Sequence, residues 1–269
     1  MSWWGKVLGG TFGFMLGGPL GLLFGAALGH GFDRGVDQVH EMPPGAGFDR
    51  HEQTQMAFFA ATFSVMGHIA KADGRVTPDE IAVAAGIMGQ LRLDPEMKRF
   101  ARRLFNEGKQ AKFPLDGVLE QFRRECRGSS HLTHMFVEVQ LHAAYADGHV
   151  HPRERDILQT VCDRLRVSAA DFTQIENLVR AGFHYQQSAR QGAAEEARIS
   201  LDEAYAVLNV SRDGSDAEVK KAYRRLMSQH HPDKLVAKGL PEEMMKLATQ
   251  RTQEIKAAYE RVKQDRAMS

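Results

Sequence analysis

Cysteine is nearly missing from this chain. Its 269 residues include only Cys126 and Cys162, with no CxxC spacing. That excludes a disulfide framework and a thiolate zinc site, and it fits a reducing compartment. An excess of either charge is missing too: 35 Lys and Arg face 34 Asp and Glu, a net charge of +1. No global field is directed at nucleic acid or at a strongly acidic partner, so recognition by charge must be local. There is no glycine-rich phosphate loop and no grouped nucleophile, base and orienting carboxylate. The expectation is a binding protein without enzymatic activity or cofactor. At this length it should hold two small folded units plus accessory segments.

Charge is locally absent as well. From Val7 to Gly29 there is no charged side chain, a run long enough to cross a bilayer as a helix, which takes about 20 residues. A signal peptide is the rival, but its apolar stretch is only about 7 to 15 residues. Within the run Gly5, Gly9, Gly13, Gly17, Gly21, Gly25 and Gly29 recur every four residues and form one helical ridge. A ridge without side chains lets two backbones approach closely in lipid. The pattern predicts a homodimer through Gly9, Gly13, Gly17, Gly21 and Gly25. Pro19 sits mid-span, where a membrane helix tolerates it. Lys6 on one side and Arg34 and Arg50 on the other leave the orientation undecided by positive charge.

After a Pro/Gly-rich break the chain repeats itself. Ala72-Asp73-Gly74-Arg75-Val76-Thr77-Pro78-Asp79-Glu80 returns as Ala146-Asp147-Gly148-His149-Val150-His151-Pro152-Arg153-Glu154. An amphipathic helix precedes each copy, with Met56, Phe59, Phe63 and Met66 in one and Leu132, Phe136, Val139 and Ala143 in the other. Each Asp-Gly pair suits a helix end, where glycine can turn left-handed. Thr77, Pro78 and Glu80 suit the next start as a capping box, a start that His151 weakens in the second copy. Residues 50–185 therefore read as one helical bundle of two related halves, with Leu91, Phe100, Leu104, Leu119 and Phe122 as intervening apolar faces. The string imitates the second half of an EF-hand loop, but Ile69 or Ala143 and Lys71 or Tyr145 stand where the first carboxylates belong, which rules out that calcium site. The duplicated motif resembles the TerB-like tellurite-resistance domain. That resemblance leaves open a metal at Asp73, Glu80, Asp147 and Glu154, residues that capping and turn roles already explain. His131, His134, His142, His149 and His151 crowd one stretch without a four-ligand zinc pattern.

Residues 186–199 are polar and alanine-rich and read as a linker. Two capping boxes follow, Ser200 with Glu203 and Ser215 with Glu218. The first opens a short helix with Leu201, Tyr205 and Leu208 on one face. The second opens a longer helix to about His230, with Val219, Tyr223, Leu226 and His230 inward and Lys220, Lys221, Arg224 and Arg225 on a basic side. Pro232 then ends that helix, since it disfavours helical geometry in the residue before it. A third helix beginning near Pro241 carries Met244, Ala248, Ile255, Tyr259 and Val262 at helical spacing. The result is a hairpin with His231-Pro232-Asp233 at its exposed tip.

This order of elements resembles the J domain of DnaJ-like co-chaperones from Ser200 to about Lys263. The residues that carry it are Tyr205-Ala206-Val207-Leu208, Lys221-Ala222-Tyr223-Arg224-Arg225-Leu226, the tripeptide, and Ile255-Lys256-Ala257-Ala258-Tyr259. The resemblance implies docking on a DnaK-type chaperone, with Lys220, Arg224 and Arg225 steering toward an acidic surface and Tyr223 within the same face. His231, Pro232 and Asp233 would couple docking to ATP hydrolysis, and Lys234 would extend the patch. Membrane helix, TerB-like bundle and J domain in this order resemble the DjlA-type co-chaperones of bacteria. The Gly/Phe-rich segment and CxxCxGxG repeats of full DnaJ-like proteins are missing, which favours a specialised recruiter whose client the sequence does not name. The expected fold is all-α: 1–6 a short periplasmic N-terminus, 7–29 a single transmembrane helix in the inner membrane, 30–49 a linker, 50–185 the bundle, 186–199 a linker and 200–269 the J domain in the cytoplasm. The alternative is a membrane stress sensor or metal-responsive scaffold built on the duplicated bundle.

Overall fold

The computed structural model describes residues 20, 21, 23, 49–72, 86, 88–89, 93–145, 148–190 and 199–268, and every regular element among them is helical. The bundle is built around α1, Arg50–Ala70. Asp49 starts it by accepting the amides of His51 and Glu52, both at 2.8 Å, while Glu52 returns a bond to the Asp49 amide at 3.1 Å. From Thr54 to Gly67 every residue is buried, as expected of a helix apolar on all sides and enclosed by others. Its polar interruptions are satisfied internally: Thr62 and Ser64 donate to the carbonyls of Phe58 and Ala60, both at 2.7 Å.

Around α1 stand α2 (Pro95–Gly108), α3 (Leu115–Glu125), α4 (Ser130–Ala144) and α5 (Pro152–Leu165), while α6 (Ala169–Arg190) packs on α4. Helices α1 and α2 cross at bare backbone. A Cβ on Gly67 would land on the Phe105 carbonyl, and one on Gly108 would land on that of Ser64. Phe58, Phe122 and Phe136 join α1, α3 and α4, with ring centroids 4.5 to 6.3 Å apart. Met56, Phe59, Phe63 and Met66 of the first motif helix, and Leu132, Phe136 and Val139 of the second, all lie in this core. Gly148 has a φ of +94°, the left-handed turn expected of the Asp-Gly pair. Glu154 accepts the His151 amide at 2.9 Å, so the second start is capped despite the lost threonine. Both cysteines are free and buried. Burial raises both thiols, that of Cys162 to about 12.

The C-terminal module comprises α7 (Leu201–Leu208), α8 (Asp216–His230), α9 (Pro232–Ala237), a 3-10 turn at Glu242–Met244 and α10 (Met245–Asp265). Its own core gathers Leu208, Val219, Leu226, Ile255, Ala258 and Val262. Two details differ from the sequence expectation. Pro232 does not open a plain bend but occupies the first position of the six-residue helix α9, where its missing N–H costs nothing. The third long helix begins at Met245 after the 3-10 turn, not near Pro241. Leu178 and Ala181 of α6 belong to the C-terminal core, while Ile175 and Val179 of the same helix belong to the bundle core.

Most of the expected membrane segment lies outside the described residues. Leu20, Gly21 and Leu23 are helical, and the Leu20 amide donates to Gln121 Oε1 at 2.8 Å. Among the described residues no helix is long and apolar enough to cross a membrane.

Candidate functional site

Helix α8 carries the basic face. Ser215 and Glu218 start it, each accepting the other's amide, at 2.7 and 3.3 Å. Lys221, Arg224 and Arg225 are exposed and Lys220 is half-buried. Tyr223 stacks on Tyr259 of α10 with centroids 4.1 Å apart, so its ring also fastens the hairpin. The helix stops because His231 is extended, at φ −63° and ψ 121°. Its Nδ1 then accepts the Asp233 amide at 3.2 Å, which caps α9. The capped turn aims the tripeptide outward: the His231 side chain is 46% exposed and that of Asp233 87%. Lys234 lies beside it, donating to Ser228 Oγ at 2.7 Å. Arg224 and Arg225 thus stand on the second half of α8, and His231, Asp233 and Lys234 follow at its end. An exposed carboxylate on a stiff turn flanked by cations can bind a partner of mixed charge, and charge steering speeds its arrival.

Arg266 holds the opposite end of the module. Its guanidinium donates to Tyr205 Oη at 2.6 Å, to the Gly214 carbonyl at 2.5 Å and to the Arg212 carbonyl at 2.6 Å. Nothing in helical spacing marks this role, because the partners lie over fifty residues away.

The residue before the tripeptide faces inward. His230 is buried, with Nδ1 3.4 Å from Glu138 Oε2 of α4. Glu138 is fully buried and bonds to the equally buried Arg251 of α10. Arg251 also meets Glu254 at 2.5 Å, and Gln250 donates to Glu254 at 3.1 Å. Gly182 of α6 leaves the room: a Cβ there would stand 2.5 Å from Arg251 Nη1. Burial pushes the Glu138 carboxyl above its ordinary value against the pull of Arg251. Burial alone would lower the Arg251 guanidinium, but Glu254 and Glu138 outweigh it and raise the group further. His230 is driven down to about 3 by burial and by Arg251, so its ring is neutral at pH 7. Sequence reasoning missed this cluster. Its signal was a single carboxylate, Glu138, inside an otherwise apolar stretch of α4.

Three family models match along the chain: the transmembrane domain of co-chaperone DjlA at residues 1–39, tellurite resistance protein TerB at 59–177, and the DnaJ domain at 203–267. The co-chaperone protein DjlA of Coxiella burnetii is 47% identical over 270 residues, covering 100% of both chains. That of Photobacterium profundum is 43% identical, covering 98% of this chain and 99% of its own. That of Vibrio cholerae is 42% identical over the full length of both. The chain belongs to the DjlA co-chaperone family. No solved structure matches it.

In this DjlA-family chain the exposed tripeptide lies within the DnaJ domain, and the Glu138–Arg251 contact crosses from the TerB-matching region into it. The chain is membrane-anchored, as the match at residues 1–39 and the full-length relatives indicate. Of the ridge glycines only Gly21 is described, as helical and buried, and Gly9, Gly13, Gly17 and Gly25 lie outside the described residues. So do Asp73, Glu80 and Asp147. Glu154 is buried at its capping position. Among the described residues no group of three or more His, Cys, Asp and Glu could hold a metal ion.

Proposed function

We propose that this chain recruits a cytoplasmic DnaK-type chaperone to the inner membrane and stimulates its ATPase without catalysing a reaction itself. The observation that carries the reading is the tripeptide's presentation: His231 caps α9 and leaves the Asp233 carboxylate exposed at the end of the helix that carries the basic residues. The basic side of α8 steers the partner, and exposed charges of this kind act over about 8 Å at physiological ionic strength. Because the chaperone and ATP are cytoplasmic, the short N-terminus faces the periplasm and the rest of the chain the cytoplasm. The glycine ridge pairs two copies, which brings two tripeptides to one patch of membrane. ATP hydrolysis by a purified DnaK-type chaperone, with and without the full chain in detergent micelles, tests the central step. His231→Gln should abolish the stimulation, and the wild-type effect should weaken as salt rises from 50 to about 300 mM, where screening shortens. Stimulation that survives His231→Gln would overturn the mechanism.

A further inference from the structure

The bundle and the hairpin meet where the chaperone would dock. Leu235 of α9, together with Leu240, Met244, Leu247 and Ala248, is buried in the bundle's apolar core rather than in that of the DnaJ domain. Two cations at the edge of the basic face are engaged as well: Arg225 donates to Gln174 of α6 at 3.2 Å, and Lys238 lies 2.7 Å from His131 Nδ1 of α4. A chaperone gripping the tripeptide and the whole basic face would therefore meet α4 and α6.

We propose that the central bundle restrains the DnaJ domain by docking on the flank of its tripeptide through the Glu138–Arg251–Glu254 network, and that releasing this contact raises co-chaperone activity. The inference rests on the function proposed above and names its regulation.

The composition of the interface suits a contact that opens. Apolar burial favours the docked state. The charged centre works against it. Two carboxylates and one guanidinium lose their water there; Glu138 Oε2 and His230 Nδ1 face each other at 3.4 Å without hydrogen-bond geometry, and Arg251 Nη2 finds no hydrogen-bond partner among the described residues. Buried ion pairs recover their desolvation cost only when every lone pair and proton is satisfied. A permanent interface would be expected to fill this space with apolar side chains. On opening, Glu138, Arg251 and Glu254 regain water, which lowers the cost of separation. The tripeptide itself stays exposed in the docked state, so an arriving chaperone can make first contact there and compete for Arg225 afterwards.

The test uses the full chain in detergent micelles and the ATPase rate of a DnaK-type chaperone titrated with it. Glu138→Lys places two cations face to face and should undock the hairpin, lowering the concentration for half-maximal stimulation at least threefold. A second arm avoids core substitutions: Lys238→Cys with His131→Cys, joined by a cleavable bis-maleimide linker, holds the docked state. The native thiols are buried and compete poorly. Linked protein should stimulate at least threefold less than the same protein after cleavage of the linker. Equal stimulation before and after cleavage overturns the restraint, and if His231→Gln is still inactive the function reading survives that failure. A silent wild type beside an active Glu138→Lys chain supports the restraint in its strongest form. If neither stimulates, the function reading fails and takes the inference with it.

Discussion

At the scale of single residues, the ionisable groups enclosed at the domain junction set the protein's sensitivity to pH. His230 and His142 are both driven down to about 3 by burial and the nearby Arg251, whereas an unfolded histidine titrates near 6.5. Their contribution to stability is complete above pH 6.5 and is lost as the pH falls from there toward 3, because only the unfolded chain takes up the proton. At pH 5.5 each histidine should remove on the order of 1 kcal/mol relative to neutral pH. The raised carboxyl of Glu138 acts in the opposite direction. Urea midpoints at pH 7.5 and 5.5 measure the slope, and His142→Gln should flatten it; an unchanged slope would remove His142 from the explanation. Arg251→Ala should cost about 3 kcal/mol or more in the same assay, since it strands buried Glu138 and Glu254 without a counter-charge. The paired change Glu138→Gln with Arg251→Met should cost clearly less than Arg251→Ala alone.

Between elements, the close crossings are the sensitive points. Gly67→Ala pushes a methyl group into the backbone of α2 at Phe105, which cannot swing aside, and should lower stability by about 2 kcal/mol or more. Thermal unfolding of the full chain in detergent would read this, and a variant as stable as wild type would show that the helices can separate there. The same elements show what the sequence made legible. Caps at Ser200 and Ser215, the inward positions Val219 and Leu226, and the core positions Phe59, Phe122 and Phe136 follow from local rules of spacing and hydrogen bonding. The exposure of His231 and Asp233 was readable because proline fixes where α8 stops. Helix α9 was not, for six residues are too few to display a period. Nor were Arg251 and Glu138, 113 positions apart. On a helical wheel Arg251 looks like one more solvated cation, and only the approach of α4 and the gap at Gly182 turn it inward.

For the whole molecule, the pairing proposed above through the glycine ridge would set whether one or two copies act together. On that proposal, Gly13→Leu with Gly17→Leu should block the close approach of two membrane helices and abolish energy transfer between labelled copies in micelles, while leaving chaperone stimulation per chain intact. Undiminished transfer would place the pairing elsewhere. Within one copy, helix α6 contributes Ile175 and Val179 to one core and Leu178 and Ala181 to the other. Successive residues of a helix are 100° apart, so these sets occupy adjoining sides of one rigid rod about 33 Å long. A wall shared by two rooms cannot be shifted for one alone. Any ligand that rolled this rod from the TerB side would change the footing of the module that carries the tripeptide.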